Sequence, residues 1–73
     1  MDEVELLERI TADPAVLDGR PLIRDRNLAV ERILTMLAAG DPPEIILEHY
    51  PSLEPEDIQA CLVYACRLIE LER

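Results

Sequence analysis

The stretch S52-L-E-P-E-D-I-Q-A-C-L-V-Y-A-C-R-L-I-E-L-E-R73 decides how this chain is read. Pro55 sits where a first helical turn accepts a residue without an N–H. Glu54, Glu56 and Asp57 cluster at the positive end of the helix dipole and read as a solvated first turn, with the N-cap at or near Glu54. From Ala60 to Cys66 the chain then runs seven residues without a charge, nearly two full turns. Ile58, Leu62, Ala65 and Ile69 make one stripe, while Val63 and Leu71 lie well away from it. A helix that is apolar all round is covered on more than one side. The shorter helices upstream cover one side, and a second copy of the chain is expected over the rest, as a two-fold homodimer, the alternative being that the hairpin folds back over that face within one chain. Leu22, Ile23, Leu28, Val63, Cys66 and Leu71 are its candidate interface residues.

Two more helices precede this one. In L28-A-V-E-R-I-L-T-M-L-A-A-G40, residues Val30, Ile33, Leu34, Leu37 and Ala38 share a face, and Gly40 followed by Asp41-Pro42-Pro43 stops the helix. In P42-P-E-I-I-L-E-H-Y50, Asp41 is placed as N-cap, Pro42 at the first helical position, and Glu44 completes a capping-box spacing. Pro51 ends this helix, with Tyr50 anchoring the junction.

The N-terminal part is different. D2-E-V-E-L-L-E-R-I10 suits a short helix or an ordering arm, broken at Thr11-Ala12-Asp13-Pro14. Val16-Leu17 and Leu22-Ile23 read as extended pieces around a turn at Asp18-Gly19, with a second polar turn at Arg24–Asn27 before Leu28. Pro21 cannot donate a ladder hydrogen bond, so the ribbon is expected at a sheet edge. The expected architecture is mainly α, in one domain over residues 1–73. An N-terminal arm and β hairpin fill 1–29, and a three-helix unit fills 30–73.

Seventy-three residues form one small domain, and at this size a self-contained core is marginal. The formal net charge is −9, unevenly placed: −5 over residues 1–18, +2 over 19–40 and −6 over 41–73. Arg20, Arg24, Arg26 and Arg32 make the basic island. Such a chain repels nucleic acid at long range while leaving local contacts open. These arginines, with Gln59 on the third helix, are the candidate contacts to a partner or to nucleic acid. Pairing with the protein's own surplus carboxylates, within one chain or across a dimer, is the alternative, and such exposed pairs are each worth ~0–1 kcal/mol.

Chemistry is poorly represented. His49 has no neighbouring nucleophile and no companion ligand. Cys61 and Cys66 point roughly 140° apart on a helix and cannot share a bridge or a metal. Both read as small buried apolar residues. No metal site, cofactor, catalytic residue or small-molecule substrate is expected. The acidic N-terminus is unlike a signal sequence and no apolar run is long enough for a membrane span, so a cytoplasmic location is expected.

The order Asp13-Pro14, Gly19-Arg20-Pro21, Ile23-Arg24, Gly40, Glu44-Ile45, Tyr50-Pro51, Leu53, Asp57-Ile58 and Tyr64-Ala65 resembles the bacterial domain-of-unknown-function family DUF433. The resemblance covers about residues 10–66. It implies a homeodomain-like helix-turn-helix after a small β hairpin. It also implies similarity to VapB-type antitoxins of type II toxin–antitoxin pairs, whose partners are PIN-like ribonucleases. A DNA-binding repressor is the alternative. One departure stands out: where the family has Ile-Arg-Gly-Thr-Arg, this chain has Ile23-Arg24-Asp25-Arg26-Asn27. Arg26 falls one residue early, which in a ribbon puts it on the opposite face.

Overall fold

A computed structural model of the chain describes residues 2–12, 19–24 and 28–71. The expected pieces at Val16-Leu17, most of the Asp18-Gly19 turn, and Asp25, Arg26 and Asn27 lie outside them. The described elements run α1 (Glu3–Leu7), β1 (Ile10–Thr11), β2 (Leu22–Ile23), β3 (Leu28–Ala29), α2 (Val30–Ala38), α3 (Pro43–His49) and α4 (Pro55–Leu71). The architecture is mainly α with a small antiparallel sheet of order β1-β2-β3.

The sheet corrects the expected edge ribbon. β2 is central: Ile23 stands opposite Ile10 on one side and Leu28 on the other. Pro21 does not obstruct this, because it lies just outside the strand and uses only its carbonyl, which accepts from the Val30 N–H at 3.1 Å. Leu22 and Ile23 are 6% and 1% exposed. They are spent in the core of one subunit and cannot line a dimer interface as expected, and Leu28 also packs against that core.

The stripe on α2 forms as read, with Val30 and Ile33 buried and Leu34 and Leu37 packed against the core, although Ala38 is exposed. Its C-terminus closes as a Schellman motif: the Gly40 N–H donates to the Leu37 carbonyl at 3.0 Å and the Asp41 N–H to the Met36 carbonyl at 3.1 Å. Gly40 takes φ +98°, the left-handed geometry this closure requires. Asp41 is thereby committed to the end of α2. The start of α3 moves one residue on, with Pro42 as N-cap, Pro43 in the first turn and no side-chain cap, which replaces the capping box expected from Asp41 and Glu44.

The core gathers Ile23, Val30, Ile33, Ile46, Leu53, Ile58 and Cys61, with Tyr50 and Tyr64 packed at its margin. Tyr50 holds the α3–α4 junction, its carbonyl accepting the Leu53 N–H at 2.9 Å.

At the start of α4, Asp57 is buried at 4% exposure, which corrects the solvated acidic turn expected there. Its Oδ2 accepts the Glu54 N–H at 2.9 Å, half of a capping box. Its Oδ1 accepts from Arg9 at 3.0 Å, and Arg9 also bonds Glu54 at 3.0 Å. These two hydrogen bonds, Glu54 first, raise the Arg9 pKa further above its ordinary value. The Arg9 carbonyl accepts the Arg24 N–H at 2.7 Å, so one residue ties α4 to the sheet.

Candidate docking faces

Helix α4 is 17 residues long, about 25 Å. Its early turns are enclosed: Asp57, Ile58, Ala60 and Cys61 are all buried. Residues 63–65 are half-buried, and everything from Cys66 to Leu71 is exposed. The core-facing line is Asp57, Cys61, Tyr64, Leu68, Leu71, at intervals of four and three. Its far members emerge into solvent, Leu68 at 45% and Leu71 at 81% exposure. The stripe expected through Leu62 and Ile69 sits on a flank instead, and both are exposed. Cys66 is likewise exposed rather than buried.

Beside this emerging line lies a groove of about 420 Å³ between α2 and α4, lined by Pro21, Val30, Glu31, Leu34, Thr35, Ala38, Tyr64 and Leu68. Its wall is almost wholly aliphatic or aromatic. Adjoining it through Glu31 and Thr35 is an open depression of about 320 Å³ bounded by Arg20, Ala29 and Arg32. Arg20 reaches Glu31 at 3.4 Å, both side chains well exposed, a pair that adds little stability. Of the arginine island, Arg20 and Arg32 therefore share one surface, Arg24 is exposed on the turn after β2, and Arg26 lies outside the described residues.

The opposite flank of α4 faces α1. Glu3, Gln59, Leu62, Val63, Cys66, Arg67 and Glu70 line a groove of about 160 Å³ there. Arg67 bonds Glu3 and lies near Glu70 at 3.8 Å. Asp2, Glu3, Glu5 and Glu8 are exposed around Val4, itself 67% exposed. Gln59 thus joins Val63 and Cys66 on this acidic flank, away from Arg20 and Arg32.

The sequence stripe reading missed Tyr64 and Leu68 as groove walls. Their signal was the heptad-like spacing from Asp57 to Leu71, hidden because a carboxylate heads it. Among the described residues no group of three or more His, Cys, Asp or Glu converges to hold a metal ion, and no helix is long and apolar enough to cross a membrane.

Fold and surfaces together define a small mainly helical domain with a short antiparallel sheet and uncovered apolar grooves. The chain belongs to the family described as "Protein of unknown function (DUF433)", whose profile matches residues 10–65, in agreement with the resemblance read from its motifs. An uncharacterized protein, y4eO, of Sinorhizobium fredii is 36% identical over 58 residues, which cover 80% of this chain. The match spans only 26% of that relative's length. The crystal structure of a DUF433 member from Anabaena variabilis superposes with a TM-score of 0.78 at 29% identity, covering 93% of this chain and 68% of the other.

Proposed function

We propose that this domain is a non-enzymatic docking module that works as a homodimer and, like a type II antitoxin, binds and neutralises a PIN-like ribonuclease. The observation that carries the reading is the acidic, exposed first helix, with Asp2, Glu3, Val4, Glu5 and Glu8 all exposed and Glu3 lining a groove with Leu62, Val63 and Cys66. A nuclease that grips RNA presents a positive surface, and an acidic partner with apolar anchors complements it and is steered towards it. The test is co-expression with the product of the adjacent reading frame, followed by affinity capture and an RNA cleavage assay. The expected result is a co-purifying basic nuclease whose activity returns when Glu5 and Glu8 are changed to Lys. Failure to recover or inhibit any such partner overturns the reading.

The exposed Arg20 and Arg32 support a second reading, a DNA-binding repressor. In it α2, α3 and α4 act as a homeodomain-like helix-turn-helix, or the arginine-bearing ribbon grips phosphates. The N-terminal end of α4, which such a motif would present to the major groove, carries Glu54, Glu56 and Asp57. That makes it the weaker reading. A gel shift on the chain's own promoter, at low and raised salt, decides it: no shift at micromolar protein removes it.

A further inference from the structure

Away from the α2–α4 groove, α4 carries a second uncovered strip. Leu62, Cys66 and Ile69 are spaced four and three apart and so fall on one line of the helix. All three are exposed, Leu62 at 46% and Ile69 at 56%. Leu62 and Cys66 also line the groove beside α1, together with Glu3 and Glu70. We propose that this flank seats one amphipathic helix of a protein partner, its apolar side chains on the Leu62–Ile69 line and its Lys or Arg side chains facing Glu3 and Glu70. The proposal rests on the docking reading above and names the element by which the partner is held.

Charge selects a cationic occupant. Asp2, Glu3, Glu5 and Glu8, on α1 and its caps, and Glu70 on α4 are all exposed. Among the described residues, Arg67 is the one basic residue lining the groove, and Glu3 and Glu70 already engage it. Arg9, just beyond α1, is held by Glu54 and Asp57. A second copy does not fit here, because a two-fold axis sets a patch against itself. That would oppose acid to acid, and like charges brought together cost affinity. The same field repels nucleic acid and an anionic membrane. The homodimer proposed above therefore forms on another face. Arg67 shows the chemistry this groove accepts, a guanidinium between a carboxylate of α1 and one of α4. With the arginine side chain 50% exposed, that pairing is worth little and gives way to a partner's arginine. From Gln59 to Glu70 the groove follows about 16 Å of α4, or three turns. That length matches the i, i+3, i+4, i+7 anchors of a helix laid in a groove.

The probe is a fluorescein-labelled helical peptide with leucines at i, i+3, i+4 and i+7 and arginines on both sides of that stripe. Anisotropy titration at physiological salt, with circular dichroism confirming that each variant is folded, should show saturable one-to-one binding. A peptide of the same composition in scrambled order should bind about tenfold more weakly. Leu62→Ser with Ile69→Ser should weaken the ordered peptide by a similar factor, and so should Glu3→Lys with Glu70→Lys. Leu68→Ser, in the groove beside α2, should bind as wild type. Absence of binding overturns the proposal, and so does equal binding of the scrambled peptide, because charge alone then suffices. An equal loss from Leu68→Ser, or no loss from Leu62→Ser with Ile69→Ser, also overturns it. A nuclease captured undiminished by the Leu62→Ser, Ile69→Ser protein defeats this seat and leaves the docking reading standing. Peptide binding on the strip with no nuclease inhibited defeats the nuclease reading alone.

Discussion

Arg9 and Asp57, separated by 48 positions in the chain, meet at 3.0 Å, with the aspartate side chain only 5% exposed. The carboxylate is fully used: one oxygen caps the backbone of α4 and the other receives the guanidinium. A buried carboxylate is tolerable only with such partners. The contact fastens the end of α1 and the start of β1 to the base of the longest helix.

Replacing Asp57 by Ala removes the reach-back to the Glu54 N–H and leaves Arg9 with Glu54 as its remaining carboxylate partner. Loss of about 1 kcal/mol is expected from the lost cap. Arg9→Ala should also destabilise, and the double variant should lose less than the two single losses added. Urea unfolding of the four proteins measures this.

Gly40 is held at φ +98° with nothing within 4 Å of where a Cβ would stand. Its substitution is therefore a backbone experiment without steric complication. Gly40→Ala should cost about 1 kcal/mol, and Gly40→Asn less, because Asn tolerates left-handed geometry. A melting comparison of the three proteins is sufficient. An unchanged Gly40→Ala would contradict the Schellman closure of α2.

The two thiols should behave as opposites. Cys61 is fully enclosed in the core and Cys66 is exposed, neither bonded to the other. A bulky maleimide should label the native protein once, at Cys66, and reach Cys61 only on unfolding. Mass spectrometry of labelled peptides reads the outcome directly.

Burial, aided by the nearby Asp57 charge, pushes the Cys61 thiol up to about 12. The folded state thus holds this proton more tightly than the unfolded chain does. Its contribution to stability is complete below the thiol's ordinary value near 8.5. It is lost as pH rises towards about 12, with a slope approaching about 1.4 kcal/mol per pH unit. Denaturation of wild type and Cys61→Ala at pH 7, 9.5 and 10.5 should show their difference shifting against the wild type in that window.

What could be read from residue order was what local spacing encodes. The α2 stripe from Val30 to Leu37, the Gly40 stop, the short helix near Val4 to Leu7 and the Pro55 start of α4 all follow from period, caps and breakers. Strands of two residues have no period, so the pairing of Ile10 with Ile23, and hence the central place of β2, was not visible. Asp57 looked like a surface acid because its partner is distant in sequence. Asp41 looked like a cap for α3 because the claim of Met36 on its N–H is a three-dimensional fact. On the surfaces, the arginine island and the uncovered state of α4 were legible. Which flank of α4 faced inward was not, since aliphatic residues occur on all sides of it.

The clamp between Arg9 and Asp57 also orders events during synthesis. Helices and strands near the N-terminus leave the ribosome first, yet their fastening point follows 48 residues later. Until residue 57 clears the exit tunnel, the first helix has nothing to dock on, and the nascent chain carries its greasy segments bare. Docking of the first helix on α4 thus requires a long-range loop closure, unlike the local turns that join α2 to α3.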